Sequence, residues 1–134
     1  DIDFGGLLDA HSSAQRTLTI ATYPRQVKVD LGVLKVGENG EVTAFEEKPQ
    51  YDFLVSMGVY AMSKGVLGYF AAGDRYDFDK LVLDMLKAHD PVGTFAWGHG
   101  RWLDIGRHVD YETAQETFAT DADAYLPWRR KPTE

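Results

Sequence analysis

The stretch FEEKPQYDFLVSMGVYAMS, residues 45–63, sets Glu46, Glu47 and Lys48 directly ahead of Pro49. A strand-like run follows in which Ser56 and Gly58 interrupt Val, Met and Tyr. Pro49 lacks a backbone N–H and pushes Lys48 towards an extended backbone, so ladder pairing ends there. In a regular strand Glu46 and Lys48 share one face while Glu47 points to the other. Glu47 and Lys48 can meet one ligand only if the chain twists or bulges; on the motif alone, a solvated charged strand end is the simpler reading. Beyond the proline, period-two spacing puts Val55, Met57, Val59 and Ala61 on a core face. Ser56, Gly58, Tyr60 and Met62 fall on the other. Ser56 and Gly58 make a notch there, which suits a flat polar ligand such as a sugar or the close packing of a helix equally well.

Working outward, DLGVLKV (30–36) and EVTAFEEK (41–48) read as two strands joined through Asn39-Gly40. That dipeptide predicts a two-residue type I′ hairpin turn, which needs a positive φ at both positions. Gly32 interrupts the first strand, as glycine does at a bulge or where a backbone or ligand comes close. RTLTIATY (16–23), DFLVSMGVYAM (52–62) and VGTFAW (92–97) are further predicted strands. Asp3 caps a helix carrying Phe4, Leu7, Leu8 and His11, and Ser63 caps another that runs to about Ala72 and ends at Gly73. Residues 77–88 place Phe78, Leu81, Val82, Met85 and Leu86 on one helical stripe, and 110–118 close the periodic sequence through Tyr111, Ala114 and Phe118. Strands and helices mix without strict alternation, and the hairpin makes part of the sheet antiparallel. The class is α/β with a mixed sheet.

With 134 residues the chain suits one domain with a real core. A net charge of −7 argues against a phosphate-neutralising nucleic-acid surface. No apolar run reaches the roughly 18 residues that a membrane helix requires. Cysteine is absent, which removes disulfides and thiolate metal sites and fits a cytoplasmic protein. The first residue is Asp1 rather than Met, as in a piece of a longer chain.

The segment GHGRWLDIGRHVDY, residues 98–111, carries the sharpest chemistry. Gly98 and Gly100 begin a dinucleotide-like pattern, but Leu103 holds the third glycine position and excludes it. Asp104 stands between Leu103 and Ile105, after Trp102; a carboxylate in apolar company needs a partner or a metal. It could cap a helix, although Asp110 is better placed for the helix that follows. It could also ligate Mg²⁺, which takes one or two carboxylates together with substrate phosphates. His11, His89, His99 and His108 show no metal-ligand spacing; His11 reads as a packing residue and the others as exposed. Residues 119–134 lose periodicity and read as a tail or linker, with Arg129, Arg130 and Lys131 solvated and Trp128 a tether.

In order and spacing, LGVLKV, NGEVTAFEEKP, VSMGVYAMS, the amphipathic helix and GRWLDIGRHVDYETA resemble the nucleotidyltransferase family of sugar-1-phosphate nucleotidyltransferases. The resemblance covers about residues 1–118. It implies the C-terminal, sugar-binding portion of a Rossmann-like nucleotide-diphospho-sugar transferase fold. It further implies Mg²⁺-dependent conversion of a nucleoside triphosphate (NTP) and a sugar 1-phosphate to an NDP-sugar and pyrophosphate. By position, Gly32 would let the sugar approach the backbone, Glu47 would bind sugar hydroxyls and Lys48 the sugar phosphate. Ser56 and Gly58 would line the sugar pocket and Asp104 would ligate the metal, with Lys48 and Asp104 the catalytic pair. The family's Gly-rich loop, its catalytic Arg and Lys and its first metal-binding Asp have no counterpart in this chain. Self-association, or contact with that absent N-terminal half, is therefore expected, and the chain alone is expected to be inactive. A non-catalytic sugar-phosphate-binding module of the same fold, or a glycosyltransferase, are the competing readings. The base is illegible, and mannose and glucose are the candidate sugars.

Overall fold

A computed structural model describes residues 2–73, 75–98, 101–106 and 108–126. The expectations for His99, Gly100, Trp128, Arg129, Arg130 and Lys131 lie outside the described residues. The chain divides into two compact units, 1–23 with 56–134, and 24–55.

In the first unit Asp3 caps helix α1 (Phe4–Ser13) by accepting a hydrogen bond from the backbone N–H of Gly6 at 2.9 Å. The expected apolar stripe is narrower than its spacing suggests: Leu7 and His11 are buried, whereas Phe4 and Leu8 are exposed. Strand β1 (Leu18–Lys28), of which residues 24–28 belong to the second unit, runs parallel to β5 (Val92–Ala96), with Leu18 opposite Val92 and Thr22 opposite Ala96. On its other side β1 neighbours β4 (Gln50–Met62). Ser63 N–H donates to Thr17 O at one end of that pair and Val29 N–H to Pro49 O at the other, so the two strands are antiparallel and the sheet is mixed.

Helix α2 (Phe78–Lys87) covers one face of this sheet. Leu18, Val66, Leu81 and Met85 form the core, joined by Ile20, Tyr60, Phe78 and Val92. The rings of Tyr60 and Phe78 stack with centroids 3.8 Å apart. Tyr60 therefore fills the core, whereas period-two spacing had set it beside the notch. Ser63 heads a 3-10 helix, Lys64–Tyr69, instead of an α-helix to Ala72, and its hydroxyl makes no capping bond. That hydroxyl donates to Arg16 O at 2.8 Å and lies 3.0 Å from His11 Nε2. With its one proton committed, Ser63 accepts from Nε2–H, and the other ring nitrogen, Nδ1, lies 2.9 Å from Thr19 Oγ1. His11 is thus a packed residue, as its helix position suggested, and its ring also ties α1 to β1 and to the end of β4.

Both α1 and α2 end in the same motif. After α1, Gln15 N–H donates to Ser12 O and Arg16 N–H to His11 O; after α2, His89 N–H donates to Leu86 O and Asp90 N–H to Met85 O. These paired bonds require a left-handed residue at the turn. Gln15 (φ 50°) and His89 (φ 58°) supply it in place of glycine. Helix α3 (His108–Thr120) begins before Asp110, which therefore sits inside its first turn and is not its cap. Ala114 is buried as expected; Tyr111 and Phe118 are exposed. Residues expected to start the tail complete α3 and form the short helix α4 (Ala122–Tyr125).

The second unit holds the hairpin of β2 (Val33–Val36) and β3 (Val42–Glu46), with Val33 opposite Glu46 and Leu34 opposite Phe45. The hairpin is where the sequence put it, but its turn differs. Gly40 N–H donates to Gly37 O and Gly37 N–H to Glu41 O, and only Gly40 (φ 83°) is left-handed. This is a three-residue loop closed by a glycine bulge, so Asn39 need not take the positive φ of a type I′ turn.

Candidate functional site

In the 24–55 unit, β3 ends at Glu46, and Lys48 takes a φ of 46°. A left-handed conformation in a residue with a side chain costs roughly 1–2 kcal/mol and persists only where its surroundings impose it. The departure from strand geometry brings Lys48 Nζ to 3.9 Å from Glu47 Oε1. Both side chains are exposed and remain available to solvent or a ligand. An alternating strand would have put them on opposite faces.

Gly32 precedes β2, so it does not interrupt a strand as its sequence position suggested. A Cβ added to it would stand 2.7 Å from Cε2 and Cζ of Phe45 and 3.3 Å from Oε2 of Glu47. The close approach that its identity signalled is made by these two side chains.

In the other unit Ser56 and Gly58 are exposed on β4. Gly58 has a φ of 73°, its N–H donates to Ser56 Oγ at 3.3 Å, and among the described residues nothing lies within 4 Å of where its Cβ would stand. No described helix packs over this glycine; its left-handed backbone is what calls for glycine.

Asp104 is half-buried, and its Oδ1 accepts a hydrogen bond from Gly106 N–H at 2.9 Å. The setting is less apolar than the sequence suggested, because Ile105 is exposed and the backbone supplies a donor. This local turn uses one carboxylate oxygen; the second is the one a cation could take. Among the described residues no three His, Asp or Glu side chains gather as a metal cage.

A cavity of about 250 Å³ opens next to this loop, lined by Ile2, Met57, Val59, Arg101, Trp102, Leu103 and Tyr125. Arg101 pairs with Asp121 and lies 5.5 Å from the Tyr125 ring.

Compared with known proteins, residues 1–121 match the profile described as Nucleotidyl transferase. The chain belongs to the nucleotidyl transferase family. A glucose-1-phosphate adenylyltransferase of Acetivibrio thermocellus is 30% identical, over 78% of this chain and 27% of that protein. A UTP–glucose-1-phosphate uridylyltransferase of Synechocystis sp. is 29% identical, over 83% of this chain and 30% of that protein. The chain thus spans under a third of the length of these curated relatives. Among solved structures, HddC from Yersinia pseudotuberculosis shares the fold, with a TM-score of 0.55 and 24% identity over 87% of this chain and 50% of that one. The mixed α/β sheet is accordingly that of a nucleotide-diphospho-sugar transferase fold.

In this member of the nucleotidyl transferase family, sequence reasoning missed Phe45 over Gly32, and the cavity wall. Met57 and Val59 carried only a core signal, and Tyr125 lay in an aperiodic segment. The turn at Asp104 was signalled, since Asp followed two residues later by Gly favours a side-chain-to-backbone bond.

Proposed function

We propose that this chain supplies the sugar-phosphate contacts and one metal carboxylate of a sugar-1-phosphate nucleotidyltransferase. In that reaction an oxygen of the sugar phosphate bonds to the α-phosphorus of an NTP, and the bond from that phosphorus to the β-phosphate oxygen breaks. The products are an NDP-sugar and pyrophosphate. The observation that carries the reading is the left-handed Lys48, which brings an ammonium beside the Glu47 carboxylate on an exposed turn. A cation meets the phosphate by a charge-assisted hydrogen bond, and a carboxylate accepts bonds from sugar hydroxyls. The glucose-1-phosphate named for both relatives favours glucose 1-phosphate as the sugar substrate.

Gly32 lines the sugar contacts of its unit; Ser56 and Gly58 offer a hydroxyl and an open backbone in the other. Asp104 and the substrate phosphates would hold Mg²⁺, which when bound offsets the charge building on the transferred phosphate. Catalysis of this type rests on positioning and charge stabilisation. The chain alone, spanning under a third of its relatives, is therefore expected to release no pyrophosphate from NTP, Mg²⁺ and glucose 1-phosphate.

In an enzyme carrying this chain, Lys48→Ala should raise the KM for the sugar phosphate about tenfold or more while sparing that for NTP. Asp104→Asn should leave folding intact and sharply lower turnover and its response to Mg²⁺. Near-normal kinetics in both variants would overturn the reading.

A further inference from the structure

Continuing the hairpin ladder one step beyond Val33–Glu46 sets Gly32 across from Glu47, with Phe45 on the diagonal. Directly opposite and diagonal residues are the pairs that touch across antiparallel strands, and an aromatic ring over a cross-strand glycine is a recurrent way of pinning register. The distances agree. The ring edge of Phe45 and the carboxylate of Glu47 both lie against the bare backbone of Gly32, at 2.7 Å and 3.3 Å from where a methyl would stand. Phe45 is 62% exposed, so burial alone does not hold its ring there. Two residues after Phe45 comes Glu47, and then the strained Lys48.

We propose that Gly32 and Phe45 are positioning residues: the Phe45 ring, seated on Gly32, fixes the reach of the Glu47 carboxylate and so the Glu47–Lys48 pair that meets the sugar phosphate. The proposal rests on the sugar-phosphate reading above and gives Gly32 a different reason for being glycine. A Cβ at 32 displaces the Phe45 ring, so the glycine is kept for that ring and not for the ligand.

The two reasons separate in a double-mutant cycle. Glucose 1-phosphate is titrated into the 134-residue protein and its Gly32→Ala, Phe45→Ala, Gly32→Ala/Phe45→Ala and Lys48→Ala variants. Urea unfolding of each variant confirms that it is folded under the titration conditions. Gly32→Ala is expected to weaken binding about tenfold in the parent, and by no more than about twofold when Phe45 is already alanine, because the ring it displaces is gone. Equal losses in both backgrounds would overturn the proposal and leave the sugar-phosphate reading standing, with Gly32 small for the ligand's sake. Absence of binding by the parent, or Lys48→Ala binding as tightly as the parent, would overturn the reading and the proposal with it.

Discussion

Lys48 Nζ lies 3.9 Å from Oε1 of Glu47, its immediate neighbour in the chain, and it does so through a φ of 46°. An exposed pair of this kind contributes little to stability. The left-handed backbone costs more than the pair returns, as is common where conformation serves binding.

Lys48→Gly should therefore raise stability by about 0.5–1 kcal/mol, the relief of strain being partly offset by the freer unfolded chain. The same variant should lose most of its affinity for the sugar phosphate. Urea unfolding and ligand titration on one preparation check both. A destabilised Lys48→Gly would show that the turn is not strained.

The helix ends offer a control without a functional role. Gln15 and His89 occupy left-handed positions that glycine takes at least cost. Gln15→Gly and His89→Gly should each stabilise by about 0.5–1 kcal/mol; the double variant reports the coupling between them, since both turns lead into the paired starts of β1 and β5, where Thr17 N–H donates to Pro91 O. Thermal unfolding of the single and double variants measures this. His89→Ala should bring no such gain.

The pH dependence should show two limbs. Lys80 Nζ donates to Asp84 Oδ2 at 2.6 Å, Tyr76 OH donates to the same oxygen at 2.5 Å, and Lys87 Nζ reaches Oδ1 at 3.3 Å. Lys80 first, then Tyr76 and Lys87, hold the Asp84 carboxyl well below the usual carboxylate range. Its stabilisation is present above an ordinary carboxylate pKa of about 4 and is lost as pH falls below it. On the alkaline side, the hydrogen bond from Tyr69 OH to Asp90 Oδ2 pushes the phenol up to about 12. The unfolded phenol ionises near 10, so stability should fall as pH climbs from about 10 towards 12. Asp84→Asn should flatten the acid limb and Tyr69→Phe the alkaline one. Both effects should be modest, because Asp84 and Tyr69 are only half-buried and the lysines that reach Asp84 are exposed. Unchanged profiles would show that neither contact persists in solution.

Much of the fold was legible because local chemistry and tertiary structure agree. Asp3 caps where a capping residue should, Asn39-Gly40 marks the hairpin, and Leu81 and Met85 bury the stripe that their spacing draws. The failures have physical causes. Nothing in a lysine before proline announces the left-handed backbone that Lys48 adopts, since the residue before a proline favours an extended one. Gly32 signalled a close approach without saying by what, because Phe45 is 13 residues away in sequence and meets it only across the ladder. Tyr60 was set beside the notch because alternation assumes one buried face, whereas α2 makes its face core as well. Asp104 stood out in the sequence as a candidate, but its surroundings did not, since the donor from Gly106 is a backbone group.

Residue-resolved NMR titration of the 134-residue protein with glucose 1-phosphate tests most directly the claim that this chain supplies the sugar-phosphate contacts. Saturable amide shifts are expected at Gly32, Glu47 and Lys48 and at Ser56 and Gly58, with affinity reduced about tenfold or more in Lys48→Ala. No saturable shifts at these residues, or equal affinity in Lys48→Ala, would contradict the account.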